Sequence, residues 1–463
     1  MLPESRGRPG LGLCPGGTVS IYTGTASRKL NGRTIRNGRL DRIPDMTGTP
    51  EPPGGADPKL SQIVFIALLA IAFTAGYIIL YAALISAVWF DNDFLGANRW
   101  MIPVGVMAFS LLVGLCRKYL HAPTVMEGGF IESMKGGGHK VDYRTFPGAL
   151  LSSLFSLLSG VSVGPEGGIV ILIGDITAFL QKKLRIARES ADAAFGVNVA
   201  ALASAFNGII GNPLFTGVFA TEFQVGGKRD ALKFLTWNLL AGSIGFLFYL
   251  ALGLPSFARS IVFAPIGELH PGYVLYAIIL GVIGSLLAAF AGISMQGTAR
   301  VMERVFNDRI FAPVLTAGAI TSVIGYFIPN LLFSGESQIH AIIADPVTIG
   351  AGMLLAMAVL KILLLALAFR SGYIGGPLFP ILFSATMLGL AINLIFPGAP
   401  VSICVLCIEA SALSLAMGAP LTAILLVAVV GTADITMLLL LTISSVTAMV
   451  LADILRRRKG RAG

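Results

Sequence analysis

From Leu60 to residue 455, apolar stretches follow one another almost without pause, and they come in two lengths. About fourteen can be marked off: 60–90, 101–120, 147–163, 167–181, 193–207, 211–224, 231–254, 273–296, 311–328, 348–370, 377–396, 400–417, 420–432 and 435–455. A helix crossing the hydrocarbon core needs about 20 apolar residues. The longest stretches exceed that and must tilt, while the shortest fall below it and cannot span. In lipid every backbone N–H and C=O must find its partner inside the protein, so such a chain is committed to helices. An interrupted helix survives at membrane depth only where protein or an aqueous path surrounds the break. The expectation is an all-α polytopic membrane protein with tilted and broken helices, its transmembrane unit covering residues 59–456.

The polar residues agree with that class. Only 12% of residues are charged against 55% hydrophobic. The net charge of +9 does not indicate a nucleic-acid partner, because the basic residues sit in two tails and a few short loops. Arg117/Lys118, Lys182/Lys183/Arg185/Arg188, Lys228/Arg229, Arg300/Arg304/Arg309 and Arg456 to Lys459 mark cytoplasmic faces by the positive-inside rule. The segments around 91–98, 268–272 and 334–345 are poor in basic residues and read as outward loops, which places both termini in the cytoplasm of an inner-membrane protein. Residues 1–58, rich in Gly, Pro, Thr and Arg, read as a disordered cytoplasmic tail, with Met46 a candidate initiator, and 457–463 as a basic tail. The 55 glycines suit close helix packing. Cys404 and Cys407 form a CxxC inside an apolar helix with no second pair, and read as small packing residues. His121, His139, His270 and His340 show no ligand spacing, so neither metal nor cofactor is expected.

One carboxylate interrupts this pattern in an informative place. Gly164-Pro165-Glu166-Gly167-Gly168 lies between Ser152–Val163 and Ile169–Leu180, both of which read as membrane-depth helix. A charge at that depth costs several kcal/mol unless it meets water or a compensating dipole. The second half holds a counterpart, Ser371-Gly372-Tyr373-Ile374-Gly375-Gly376-Pro377-Leu378-Phe379-Pro380, again between two apolar stretches. Paired Gly/Pro breaks in corresponding positions point to an inverted repeat with its site between the halves, here about 59–254 and 255–456. Helix N-termini aimed at the midplane from two such breaks would form an anion site.

These residues resemble the CLC family of chloride channels and proton-coupled chloride transporters. Gly164-Pro165-Glu166-Gly167-Gly168 is similar to the family's GREGP signature, and Gly376-Pro377-Leu378-Phe379-Pro380 to its GxFxP signature. Asn212-Pro213-Leu214 with Gly217, Phe219 and Glu222, then Phe333-Ser334-Gly335-Glu336, then Ala419-Pro420-Leu421-Thr422 resemble further family motifs in the family's order. The short form with GPE is most similar to the bacterial ion-transport branch. The resemblance implies passive or weakly proton-coupled transport of chloride or another small anion by a homodimer in the lipid bilayer. It makes Glu166 the gating carboxylate. It gives anion-contacting roles to Gly164, Gly167, Gly168, Gly376, Leu378 and Phe379, and to Gly128, Gly129 and Phe130, where the family's GSGIP element maps best. The other reading of Glu166 is a helix cap or a partner for a buried cation such as Lys361.

Several positions depart from the family pattern. Pro377 has no N–H where a donor is usual. Gly128 replaces the serine whose hydroxyl contacts the ion, and the pore tyrosine of a last helix has no counterpart. An ungapped match puts Phe223 at the inner proton-glutamate position, with Glu222 one residue earlier as the candidate inner relay or as a solvated helix-end carboxylate. Asp175 reads as a packing or cavity residue. A fluoride-exporting transporter is an alternative suggested by the altered serine and tyrosine positions. An intramembrane enzyme is the alternative of a different class, without a nucleophile motif to support it.

Overall fold

The computed structural model describes residues 59–91, 98–123, 143–183, 191–222, 231–254, 256–257, 261–307 and 309–462, and the fold below concerns these. In the first half they form α1 (Leu60–Ile85), continued by a π-helical turn Ser86–Phe90, then α2 (Met101–Tyr119), α3 (Phe146–Leu158), α4 (Glu166–Lys183), α5 (Ala191–Ile210), α6 (Phe215–Glu222) and α7 (Ala231–Ala251). The second half holds α8 (Pro271–Phe306), α9 (Phe311–Phe327), α10 (Glu336–Ala344), a single turn Pro346–Ile349, α11 (Ala351–Ser371), α12 (Leu378–Ile395), α13 (Val401–Met417), α14 (Pro420–Val430) and α15 (Ile435–Ala462). The two lengths expected from the sequence are both present. Leu60–Phe90, Pro271–Phe306, Ala351–Ser371 and Ile435–Arg458 are long and apolar enough to cross a membrane, whereas Phe146–Leu158 and Pro420–Val430 are apolar but shorter.

Lipid and protein faces separate cleanly on α1. Ile63, Ile66, Ala67, Ala70, Ile71 and Thr74 are buried at helical spacing, while Phe65, Leu68 and Ile79 are exposed. An exposed Leu or Phe on a helix that is apolar all round is facing hydrocarbon. The interior is built by α5 packed on α1 and α7, and by α13 held among α8, α12 and α15. Small residues permit the contact. A Cβ on Gly245 would stand 2.0 Å from the Ser204 carbonyl oxygen, and backbones meet there as they do at small-residue interfaces in lipid.

The breaks differ from the expected boundaries. The stretch 147–163 stops being helical at Leu158, and Gly160 adopts a φ of +75°. The expected outward loop 334–345 contains α10, which starts after Gly335 at φ +101°. Gly350, at φ +80°, divides 348–370 so that α11 begins at Ala351. The stretch 273–296 continues to Phe306, and α15 runs through most of the expected basic tail to Ala462. Arginine is a good helix former, and Arg457 pairs with Asp453 one turn earlier at 2.8 Å, so loss of apolar character does not end that helix. Residues 1–58, Gly128, Gly129, Phe130, His139 and Phe223 lie outside the described residues.

Candidate functional site

The two Gly/Pro breaks meet as backbone. The N–H of Gly164 donates to the Gly376 carbonyl at 2.8 Å, and the N–H of Gly376 donates back to the Gly164 carbonyl at 2.8 Å. Gly164 and Gly376 therefore spend their N–H groups on each other in an antiparallel pair that joins the two breaks; they are not free donors for an ion. Further straps reinforce the junction. The Ile374 N–H donates to Ser156 Oγ at 3.0 Å, and Ser162 Oγ donates to the Lys361 carbonyl at 3.4 Å.

Just past that pairing, α4 starts at Glu166 and α12 starts at Leu378. Glu166 Oε1 accepts the Leu378 N–H at 2.7 Å, and the N–H groups of Phe379 and of Glu166 itself also bear on the carboxylate. Its Oε2 is buried without a partner, and the residue is only 4% exposed. The first N–H groups of a helix have no intrahelical partner and carry the positive end of its dipole. Here the occupant of the α12 terminus is a side-chain carboxylate from the opposite half. The walls around it are apolar: Ile169, Phe206, Ile209, Leu382 and Leu426 line the pocket with Glu166. Phe257 closes against Phe379 with ring centroids 4.2 Å apart, and its own N–H donates to the Ile209 carbonyl at 2.8 Å.

The glycines around Glu166 are required by contact. A Cβ on Gly167 would sit 2.1 Å from the Gly375 carbonyl oxygen, and one on Gly376 would sit 2.1 Å from Glu166 Cδ. Gly168 faces the Tyr77 hydroxyl and Ser153, with a Cβ there 2.9 Å from the Tyr77 oxygen. Pro377 occupies the N-cap of α12, so the first donors the terminus offers are those of Leu378 and Phe379.

Glu222 is placed elsewhere. At the end of α6 it reaches the N-terminus of α14, where Oε1 accepts the Leu421 N–H at 2.7 Å. Its Oε2 accepts the Thr422 N–H at 2.8 Å and the Thr422 hydroxyl at 2.6 Å. Lys228 and Arg229 lie outside the described residues, and Glu222 is half-buried. It is a charged cap supplied across some two hundred residues of sequence, about the distance that also separates Glu166 from Leu378.

Lys361 is fully buried in α11 and does not pair with Glu166. Its ammonium donates to the carbonyls of Leu331 at 3.1 Å, Leu332 at 3.3 Å and Phe333 at 2.6 Å, and it lies 4.7 Å from the centre of the Phe383 ring. Three donors meet three acceptors, which satisfies a buried ammonium without a carboxylate. Asp175 is buried within α4, and Cys404 and Cys407 are buried and unbridged in α13.

Sequence inspection gave no role to three further groups. Tyr77 donates its hydroxyl to Ser153 Oγ at 3.1 Å beside Gly168. Glu336 opens α10. Glu409 is fully buried in α13, its Oε1 2.7 Å from the Thr386 hydroxyl. The signal for Glu409 was present: a lone acid in the apolar stretch 400–417.

Residues 109–453 match the family model described as Voltage gated chloride channel. The chain belongs to that family. Over 280 residues it is 28% identical to the "Putative ion-transport protein YfeO" of Salmonella newport and of Salmonella typhimurium, covering 58% of this chain and 63% of those proteins' length. Among solved structures it is similar to a slow cyanobacterial Cl⁻/H⁺ antiporter, with a TM-score of 0.69 and 19% identity over 86% of this chain and 97% of that one. A CLC-type fluoride/proton antiporter gives a TM-score of 0.64 and 19% identity over 85% and 94% of the two chains. The family match makes this a multi-pass membrane protein of the CLC fold, and the structural likeness agrees on the fold, in which the antiparallel Gly164–Gly376 pairing joins the two helix breaks.

Proposed function

We propose that the protein transports chloride or a similar small anion across a membrane and that protonation of Glu166 opens the path. The observation that carries this reading is the Glu166 carboxylate on the Leu378 N–H at 2.7 Å, at the start of α12. A carboxylate and a chloride are both monovalent anions, so they compete for the same donors. A proton on Glu166 removes the competitor's charge and weakens its hold, since hydrogen bonds to a charged acceptor are about twice as strong as neutral ones. Leu378, Phe379 and the start of α4 at Gly167 and Gly168 are the groups that receive the ion. The family resemblance adds Gly128, Gly129 and Phe130 to the residues that contact the ion. The transport unit covers residues 59–456 and works as a homodimer in the inner membrane with both termini cytoplasmic. Chloride efflux from proteoliposomes, followed against external pH for the unaltered protein and Glu166→Gln, tests the gate. Flux that loses its pH dependence in the variant supports it; an unchanged profile refutes it.

Proton-coupled exchange, of chloride or of fluoride, is the second reading, favoured by the likeness to antiporters of both kinds. It needs an inner relay, and Glu222 is the candidate. The three donors that hold Glu222 on α14 favour a fixed cap instead. Imposing a chloride gradient on proteoliposomes and recording external pH separates the two. Uphill proton movement by the unaltered protein establishes exchange. Repeating the assay with a fluoride gradient ranks the ions.

A further inference from the structure

The second break is held in place from other helices. α11 ends at Ser371, and Gly372, at φ +98°, turns the chain out of the helix. From there to Pro377 the chain is not helical, so its position is set by what it bonds to. The Ser371 carbonyl accepts a hydrogen from Arg117 Nη1 of α2 at 2.9 Å, a cation seated on a helix C-terminus. A Cβ on Gly372 would run into that guanidinium. Tyr373 is 1% exposed, and its hydroxyl proton is shared between Ser110 Oγ of α2 at 2.7 Å and the Val314 carbonyl of α9 at 2.9 Å. Ser110 donates in turn to the Val106 carbonyl at 2.7 Å. Gly318 of α9 lets this corner close, because a Cβ there would meet both Ser110 and the Tyr373 hydroxyl. Ser110 and Arg117 lie two turns apart on α2, so one helix grips the break at both points. Ile374 then gives its N–H to Ser156 of α3, and Gly376 pairs with Gly164. The next N–H along the chain belongs to Leu378, the donor on the Glu166 carboxylate, because Pro377 has none.

A helix N-terminus grips an anion only while its N–H groups are held in place, and a site whose support is loose by about 1 Å loses its function. Gly375 and Gly376 stand between the Tyr373 anchor and the Leu378 donor, and glycine gives a backbone more freedom than any other residue. We infer that Tyr373 and Arg117 are positioning residues of the anion site, seating the Leu378 and Phe379 N–H groups and so setting how firmly Glu166, or an anion that replaces it, is held. Neither residue touches the ion. The part that concerns Glu166 rests on its gating reading; the part that concerns the anion does not. The effect reaches the gate through Leu378, since a donor to the ionised carboxylate opposes its protonation. Among the described residues, Ile169 of α4, Phe206 and Ile209 of α5, Leu382 of α12, Leu426 of α14 and Phe257 present apolar side chains to Glu166. Tyr77 of α1 and Glu336 of α10 are the titratable groups that interact with its charge, and the substitutions below touch neither.

The test uses the full chain carrying Tyr373→Phe, Ser110→Ala, Arg117→Gln or Arg117→Lys, each also in the Glu166→Gln background. Calorimetric chloride affinity in that background reads the donors directly. It is expected to weaken about tenfold for Tyr373→Phe and for Arg117→Gln. Arg117→Lys keeps a charged donor for the Ser371 carbonyl and should weaken binding less than Arg117→Gln. Chloride efflux from proteoliposomes across external pH, with Glu166 intact, reads the gate. Looser donors let Glu166 take its proton more readily, so half-maximal flux should need about tenfold fewer protons in Tyr373→Phe. A role in folding alone would lower flux and Tm at every pH and leave the affinity and the pH midpoint unmoved. Unchanged affinity in Tyr373→Phe and Arg117→Gln therefore overturns the inference. Ser110→Ala removes one of the two acceptors of the Tyr373 hydroxyl; its smaller shift supports the inference and decides it if Tyr373→Phe does not fold. Weakened affinity with an unmoved pH midpoint overturns the part that concerns Glu166. A wild-type pH profile in Glu166→Gln overturns the gating reading itself, and the affinities still decide the part that concerns the anion.

Discussion

Glu166 and Glu222 do the same thing in two places, and the difference between them separates a gate from a clasp. Each is a carboxylate on a first-half helix seated on the N-terminus of a second-half helix, Glu166 on α12 and Glu222 on α14. Glu222 has every close oxygen engaged, by two N–H groups and the Thr422 hydroxyl. Glu166 has the Leu378 N–H on Oε1, with the Phe379 N–H and its own N–H also bearing on the carboxylate, but it keeps an orphaned Oε2 among apolar walls. A buried polar atom without a partner forfeits about 1–3 kcal/mol. Glu166 is therefore held less firmly at its terminus than Glu222 is at its own. The same helix-end chemistry serves both places, and the unsatisfied oxygen of Glu166 is what sets the two apart.

The largest effect expected in testing this contrast comes from the ground beneath Glu166. Gly167→Val forces a branched side chain into the Gly375 carbonyl, already 2.1 Å from where a Cβ would begin, and pries apart the Gly164–Gly376 pairing. Anion flux should be abolished, and thermal unfolding in detergent should show a loss of about 1–3 kcal/mol or more from overpacking. Normal flux in this variant would remove the backbone-lined site altogether.

Neutralising each carboxylate in turn sharpens the contrast. Glu166→Gln should leave the fold intact and make flux independent of external pH, with the protonated form's activity present throughout. Glu222→Gln should do the reverse. Its flux–pH profile should be that of the unaltered protein, while stability falls by about 1.5–3 kcal/mol as charged hydrogen bonds to α14 are lost. Thermal melts and efflux on the same preparations read both. Exchanged phenotypes would mean the clasp and the gate have been assigned to the wrong residues.

The smallest effect concerns the terminus under Glu166. Pro377→Ile returns an N–H to the residue before Leu378, where the chain offers none. In the Glu166→Gln background, chloride affinity measured by calorimetry should tighten about tenfold, which is about 1.4 kcal/mol. An unchanged affinity would place the residue 377 N–H position away from the ion.

Much of this molecule is written in plain view along the chain. The two lengths of apolar stretch, and the Gly/Pro breaks at 164–168 and 371–380, led directly to a broken-helix membrane fold with Glu166 at a helix N-terminus. Those features are local: a break needs only Gly and Pro, and membrane depth needs only a run of apolar neighbours. Helix ends set by left-handed glycines were misplaced, as at Gly160, Gly335 and Gly350, because a glycine's composition does not tell whether its φ is positive. α10 was missed for that reason.

Partners were illegible wherever they came from the other half. Lys361 looked like a counter-ion for an acid, and its donors instead met the carbonyls of 331–333. Glu222 read as an inner relay or a solvated helix end, and its carboxylate lies on the N-terminus of α14. Gly164 and Gly376 looked like ion donors and bond to each other. The sequence by itself determined which residues are too polar for lipid and therefore must be satisfied. Only the tertiary structure decided by whom, because in a medium without water each such group takes whichever donor or acceptor the packing of the two halves brings within about 3 Å.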